Sequence, residues 1–426
     1  MSRHAESRRP APIVTAVAAI LTLAGCSGQG APASTDAPTP AASTASTPTV
    51  TLPVASAFGA PSWGVQLPAS SQQKRPVVTA QRVIYLDGAS VKAVDATGKL
   101  AWSAQFPAFA GDAQIKDGAA YPFLRLADVE TVAVVDGGKA AGSGLSQDRY
   151  ETRVTLIDVA DGHVIKTLVI PGTSSDAPKP SAVGLTFALP DGKGVVAVLA
   201  DGSTRTLPAS TSVGGQPRAT DGGATVGSAV ISTWESKADG GTPPSSAGFA
   251  GPGWTSVSTA PSSAFTSASL IAGDAHRLLV GRWVAPGRTA MDPVTVKILV
   301  LDAANGKVVA QPSCEPVGQA VFSSSPDGKH EVIGPMRLDG QGHAQCFGGG
   351  AGQKDVALTA VNDSGIAYGT AGAGGSDTSF VTVAPDGKVT TEPLSTGESA
   401  PIGIMAGEVA VHWDPNRAVI TGNTIK

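Results

Sequence analysis

Arg82-Val83-Ile84-Tyr85-Leu86-Asp87-Gly88 is followed, two residues later, by Val91-Lys92-Ala93-Val94-Asp95-Ala96-Thr97-Gly98-Lys99-Leu100-Ala101-Trp102. Two short runs rich in β-branched and aromatic residues flank Asp-Gly, and a third begins after a second Gly turn. Such runs suit strands, and Asp-Gly between them signals a hairpin. The pair starts at positions 87, 117, 136, 161, 191, 201, 221, 239, 327, 339 and 386, with Asn305-Gly306 as its equivalent. Chance would place about three such pairs among 25 Asp and 52 Gly, so the eleven are an organising feature. Type I′ turns, with positive φ at both central residues, are the expected geometry. Other strand-like runs are Val195–Leu199, Val296–Leu301 and Ser379–Val383. The expected fold class is all-β.

Helical segments are scarce. The longest Gly- and Pro-free stretches, Phe123–Asp136 and Leu145–Asp161, carry Val/Thr-rich segments better suited to strands, with one short helix conceivable at Ser146–Glu151. A two-domain β-sandwich and a β-propeller are the all-β choices. A half-solvated sandwich strand should alternate apolar and polar residues. Val195–Leu199 and Ile298–Leu301 are instead apolar at consecutive positions, which requires burial on both faces. The turn glycines 98, 162, 202, 306 and 387 are spaced compatibly with a unit of about 40–50 residues, the propeller-blade range, if the longer gaps hold two units or an insertion.

Pro76-Val77-Val78, the two strands that follow, and Gly98-Lys99-Leu100-Ala101-Trp102 together resemble one repeat of the pyrroloquinoline-quinone-type propellers. Leu299–Lys307 resembles the latter half of that repeat. Ser324-Ser325-Pro326-Asp327-Gly328-Lys329 is similar to a turn of other bacterial propellers. Only the first unit has the tryptophan in place. The resemblance implies a β-propeller; extended on the turn count to residues 60–426, it has about seven blades or eight at about 50 residues each, and ring closure would suit Trp63–Leu67 as the outer strand of the last blade beside Glu408–His412 and Ala418–Thr421.

The N-terminus carries an address. Arg3, Arg8 and Arg9 precede the largely apolar run Ile13–Ala24, too short to span a bilayer and read as a signal-peptide core. It ends in Leu23-Ala24-Gly25-Cys26, which resembles a bacterial lipobox; the resemblance implies lipidation of Cys26 and removal of residues 1–25. Loss of Arg3, Arg8, Arg9 and Glu6 takes the net charge from −4 to −6. Either the general secretory or the twin-arginine route could export the chain. Residues 26–59, opening with an Ala/Ser/Thr/Pro-rich stretch, are expected to be a disordered tether.

Chemistry is sparse. The three cysteines exclude a multi-cysteine zinc or iron–sulfur site. The cysteines are not adjacent and there is no Asp-x-Asp-x-Asp calcium loop, so no cofactor is expected. No sialidase-type box or serine-hydrolase elbow is present. His163 and His330 follow Asp-Gly turns and read as solvated hairpin residues, while His276 and His412 suit inter-strand hydrogen bonds. Cys314 and Cys346 are the thiols left to an exported chain once Cys26 is lipidated, and a disulfide between them is expected. A metal on His343 and Cys346, three residues apart, is the competing reading, and free buried thiols a third. Glu235–Gly253 and Gly340–Gly352 stand out as Gly-rich loops.

These features favour a monomeric lipoprotein anchored on the extracytoplasmic face of the cell membrane through acylated Cys26. Its propeller would be a non-enzymatic scaffold for a protein or cell-wall ligand, with no catalytic residues. The net negative charge argues against nucleic acid. The alternative is an extracellular propeller hydrolase or lyase acting on glycans. A solute-binding lipoprotein is disfavoured by the missing helices.

Overall fold

A computed structural model describes residues 50–68, 74–88, 90–105, 130–140, 149–171, 179–181, 183–189, 194–213, 215–235, 247–274, 276–285, 295–313, 322–348, 354–372 and 378–426. All belong to one compact unit, Pro48–Lys426. The unit begins ahead of the boundary expected at residue 60, since Leu52, Ala55 and Phe58 are already buried in it.

The strands form eight antiparallel sheets in chain order, and the chain is an eight-bladed β-propeller. Blade 1 covers residues 77–105, blade 2 131–171, blade 3 179–207, blade 4 216–255, blade 5 267–310, blade 6 322–346 and blade 7 356–393. Blade 8 combines residues 403–425 with Phe58–Gln66, whose Trp63 pairs with Gly422 and Val65 with Ile420. The N-terminal strand therefore closes the ring, as expected. The number is eight rather than about seven because several blades are shorter than the unit length assumed. No helix occurs among the described residues, and Arg149–Asp158, which overlaps the helix considered at Ser146–Glu151, is a strand.

Burial follows the apolar runs. Val195–Val198 and Ile298–Leu301 are buried at every position, as a sheet sandwiched between two neighbours requires. Among the described residues, seven of the eight pairs of adjacent blades share a cluster of buried apolar side chains. The exception is the pair formed by blades 3 and 4, which meet through polar contacts. Ser181 Oγ lies 2.7 Å from Thr225 Oγ1, and the Thr186 hydroxyl donates to the Gly223 carbonyl at 2.7 Å.

Asp-Gly does make turns, but those at 161, 201, 327 and 386 are not of type I′; at Asp87-Gly88, where Asp87 pairs with Ser90 and Gly88 has positive φ, the second central residue lies outside the described residues. At Ala200-Asp201-Gly202 the Gly202 N–H donates to the Leu199 carbonyl and the Asp201 carboxylate accepts from Ser203 N–H. Only the glycine has positive φ, +74°. This is a type I turn closed by a left-handed glycine, and the pairs at 327 and 386 likewise place only Gly at positive φ. Asp136-Gly137 and Asp221-Gly222 are not turns: both lie inside strands, the second beside a register irregularity of the bulge type. The pairs at 117, 191 and 239 lie outside the described residues.

Candidate functional site: the two faces and the joints between blades

Successive strands of a blade run antiparallel, so its turns alternate between the two faces of the ring. In a four-stranded blade the first and third turns fall on one face; blade 2, with three described strands, contributes only its last turn there, and blade 8, whose fourth strand is Phe58–Gln66, only its first. On that face no more than five residues separate the described strands, as between Asp302 and Val308 or Val383 and Val389, while the Ala140–Arg149 connection of blade 2 falls on the other. The second turn of each blade and the links to the next blade fall on the other face. Most are longer there, as from Glu235 to Ala247, Ala285 to Thr295 and Ala310 to Phe322. One face is thus a ring of tight Asx-stabilised turns, and the other gathers the long connections.

On the turn face, neighbouring blades are tied together. Ala406 N–H donates to the Ala80 carbonyl, Ala80 N–H to Glu130 Oε1 at 3.0 Å, and Asp327 N–H to Asp363 Oδ1 at 2.9 Å. Farther out, an outermost-strand side chain reaches the last turn of the next blade. Trp63 Nε1–H donates to the Ala96 carbonyl at 2.8 Å, Trp102 to Val159 at 2.8 Å and Trp254 to Ala303 at 3.0 Å. Each indole lies against the turn glycine of the receiving blade: Gly98, Gly162 or Gly306. The tryptophan position is therefore occupied three times. Trp63 and Trp254 escape a sequence reading because neither follows a Thr-Gly-Lys turn. In blade 2 Lys166 takes the role, with Nζ donating to the Gly202 carbonyl at 2.6 Å. Between blades 6 and 7 the buried Arg337 donates to the carbonyls of Gly365, Ala384 and Pro385 while its guanidinium lies 5.7 Å from the Phe347 ring. Burial lowers its pKa.

The residues singled out in the sequence are scattered. His163 is exposed in the last turn of blade 2, with Nδ1 2.7 Å from Asp161 Oδ1; that hydrogen bond raises its pKa. Asp158, Asp161 and His163 could approach a common cation, but the two carboxylates already accept from turn N–H groups. His330 is partly buried with its ring against Gly365, and His276 follows the buried Asp274, whose carboxylate accepts from the N–H groups of His276, Arg277 and Leu278. His412 is fully buried, its Nδ1 3.0 Å from the Ser399 carbonyl and its ring 4.8 Å from Phe58. Burial pushes its pKa down to about 4. Its hydrogen bond goes to a linking segment, not to a neighbouring strand as expected. Asp136, paired across strands with Arg153, is pushed up to about 6 by burial.

His343 and Cys346 do not form a metal pair. His343 Nδ1 lies 2.7 Å from Asp339 Oδ2, and Cys346 is disulfide-bonded and cannot offer a thiolate. Cys314 and Cys26 lie outside the described residues. The two Gly-rich loops also resolve differently. Glu235–Gly253 contains the strand Ala247–Gly251, and Phe249 within it is fully buried against Trp283, ring centroids 5.3 Å apart. Gly340–Gly352 spans a turn, the outer strand Ala344–Cys346 and a link to blade 7.

No family model and no curated protein sequence matches the chain. Solved structures of similar fold include BamB from Moraxella catarrhalis, with 13% identity over 88% of this chain and 100% of that one at a TM-score of 0.34. The Cps50 (Swd1) β-propeller domain from Myceliophteria thermophila has 7% identity over 85% and 100%, TM-score 0.39. The β-propeller domain of the Trilobed protease from Pyrococcus furiosus has 11% over 68% and 89%, TM-score 0.33. At these values the likenesses add nothing to the propeller fold that the strand order itself establishes.

Proposed function

We propose that this chain is a lipoprotein held on the extracytoplasmic face of a membrane through acylated Cys26, and that its propeller is a non-enzymatic scaffold binding a protein or cell-wall component. The observation that carries the binding part is the unequal pair of faces. Tight, mutually hydrogen-bonded turns make one face rigid, while the long connections gathered on the other can vary without disturbing the blade cores. The lipobox at Leu23–Cys26 supports the anchor.

Photo-cross-linking residues placed at Ser313, Glu398 and Asn416 on the loop face should capture a membrane-associated partner that the same residue at Lys99, Lys307 or Lys388 on the turn face does not. Equal capture from both faces, or turnover of a glycan by the purified protein, would overturn the scaffold. Cys26→Ser should move the chain out of the membrane fraction, since stable attachment takes at least two acyl chains. Unchanged fractionation would reject the anchor. Cys314 is the proposed partner of Cys346. Closing that interval should stabilise the fold by about 3–4 kcal/mol. A Cys314–Cys346 peptide in the unreduced digest checks it, and recovery of Cys314 as a free thiol would refute it.

A further inference from the structure

Among the described residues, the joint between blades 3 and 4 lacks a side chain at the spot where other joints are filled. Four residues beyond the turn glycine stand Trp102 in blade 1 and Lys166 in blade 2; in blade 3, counted from Gly202, the residue is Thr206, short and exposed. On the receiving side, a Cβ at Gly98, Gly162 or Gly306 would in each case stand 2.6 Å from an indole atom. Gly253 has the same left-handed backbone, φ +78°, yet a Cβ there would meet nothing within 4 Å.

An open cavity of about 350 Å³ occupies this place, lined by Thr211, Ser212, Ala250, Gly253, Trp254, Thr255 and Ser258 among others. That volume is at the lower end of the range for small-ligand pockets. One wall is the hairpin Ser210–Val213 with the first half of Gln216–Val226. Its Val213 is buried against Trp234 and Ala250, and its Thr211 hydroxyl lies 3.2 Å from Ser232 Oγ. The hairpin is thus held against blade 4 with the cavity open beside it. The chain has no indole left to fill it. Trp63, Trp102 and Trp254 serve other joints, Trp283 donates to the Ser256 carbonyl, Trp234 packs on Val213, and Trp413 is in blade 8.

We propose that this cavity receives a tryptophan side chain from a partner protein. The indole would lie over Gly253 and donate its Nε1–H to a backbone carbonyl of the Gly251–Gly253 turn, repeating between molecules what Trp254 does with Gly306 and Ala303 within this one. The glycines and short hydroxylated side chains of the lining leave room for a flat ring and supply polar atoms around its edge, and Ala250 and Trp254 add apolar surface. The inference rests on the scaffold reading above and adds a second contact with the partner on the turn face, at the blade 3–4 joint and apart from Lys99, Lys307 and Lys388, which lie on blades 1, 5 and 7.

N-acetyl-L-tryptophanamide is the probe, titrated into isotopically labelled full-length protein followed by amide NMR. Saturable shifts at Thr211, Ser212, Gly253 and Thr255, with Kd of about 1 mM as expected for a ligand of this size, would support the site. Ser212→Trp, which introduces an indole at an exposed lining position, should weaken probe binding at least tenfold. Absence of saturable shifts, shifts confined to other regions, equal binding by Ser212→Trp with native dispersion, or displacement of the probe by chitobiose would each overturn the proposal. Loop-face cross-linking in the membrane separates the two readings. A partner still captured there by wild type when the probe fails sinks the tryptophan site alone, whereas no captured partner from either face sinks the scaffold.

Discussion

The joint between blades 4 and 5 and the joint between blades 3 and 4 each set an outermost strand beside the last turn of the next blade, five residues long in blade 5 and two in blade 4, and they are held differently. At the first, Trp254, Phe249 and Trp283 form an edge-to-face aromatic cluster, and the Trp254 indole fills the hollow over Gly306. At the second, threonine and serine hydroxyls bridge the inner strands, Arg205 Nη1 donates to the Ser228 carbonyl at 3.0 Å, and the hollow over Gly253 is open. A repeated fold must place a glycine at every such turn, because only glycine takes the left-handed backbone cheaply. What fills the space above the glycine is a separate choice. Where it is an apolar ring the joint is structural; where it is nothing, the same geometry becomes a receptor.

The sharpest way to break this contrast is to remove the filler. Trp254→Ala should destabilise by about 3–5 kcal/mol, the cost of a large cavity in a packed aromatic cluster. Thr206→Ala at the open joint should stay within about 0.5 kcal/mol of wild type. Urea midpoints measure both, and similar values would show that the indole is not what holds the joint.

The closing seam adds a chemical variant. His412 is buried neutral between the N-terminal segment and blade 8, with its pKa depressed to about 4 from 6.5. Between these values the unfolded chain binds the extra proton and the folded one does not, so stability falls as pH drops from about 6.5 to about 4 and this contribution levels off below. The loss should reach about 3 kcal/mol. His412→Phe should flatten that part of the stability profile. An unchanged slope would place the acid sensitivity elsewhere.

A finer test uses the glycines themselves. Gly306→Ala carries both the left-handed backbone penalty and a clash with Trp254, together about 3 kcal/mol. Gly253→Ala carries the backbone penalty alone, about 1 kcal/mol. The difference of about 2 kcal/mol isolates the ring over Gly306. Equal losses would mean that the hollow over Gly253 is not open in solution.

The same contrast governed what could be read in the chain. Asp-Gly repeats and unbroken apolar runs such as Ile298–Leu301 were legible because each reflects a local requirement: a glycine for a left-handed turn, or burial on both faces of a strand. Closure by Trp63–Leu67 was legible for a similar reason, since a ring must pair its two end strands. Turn type at the pairs 201, 327 and 386 differed from the expectation because Asp-Gly satisfies a type I turn closed by a left-handed glycine as readily as a type I′ turn. Phe249 looked like a loop residue because its strand, Ala247–Gly251, is mostly Gly and Ala and takes its burial from neighbours distant in sequence.

The amino-acid order alone therefore determined that this chain is all-β, repetitive and closed by its own N-terminus, because those properties follow from backbone preferences and from apolar patterning within a few residues. Tertiary structure decided the rest. It set the number of blades at eight, sorted the connections onto two unequal faces, and set an indole against Gly98, Gly162 and Gly306, Lys166 against Gly202, Val309 against Gly342 and an open cavity beside Gly253. Such pairings join residues 30–60 positions apart, as Trp63 with Ala96 and Trp102 with Val159 do, and only the stacking of one blade on the next brings them together.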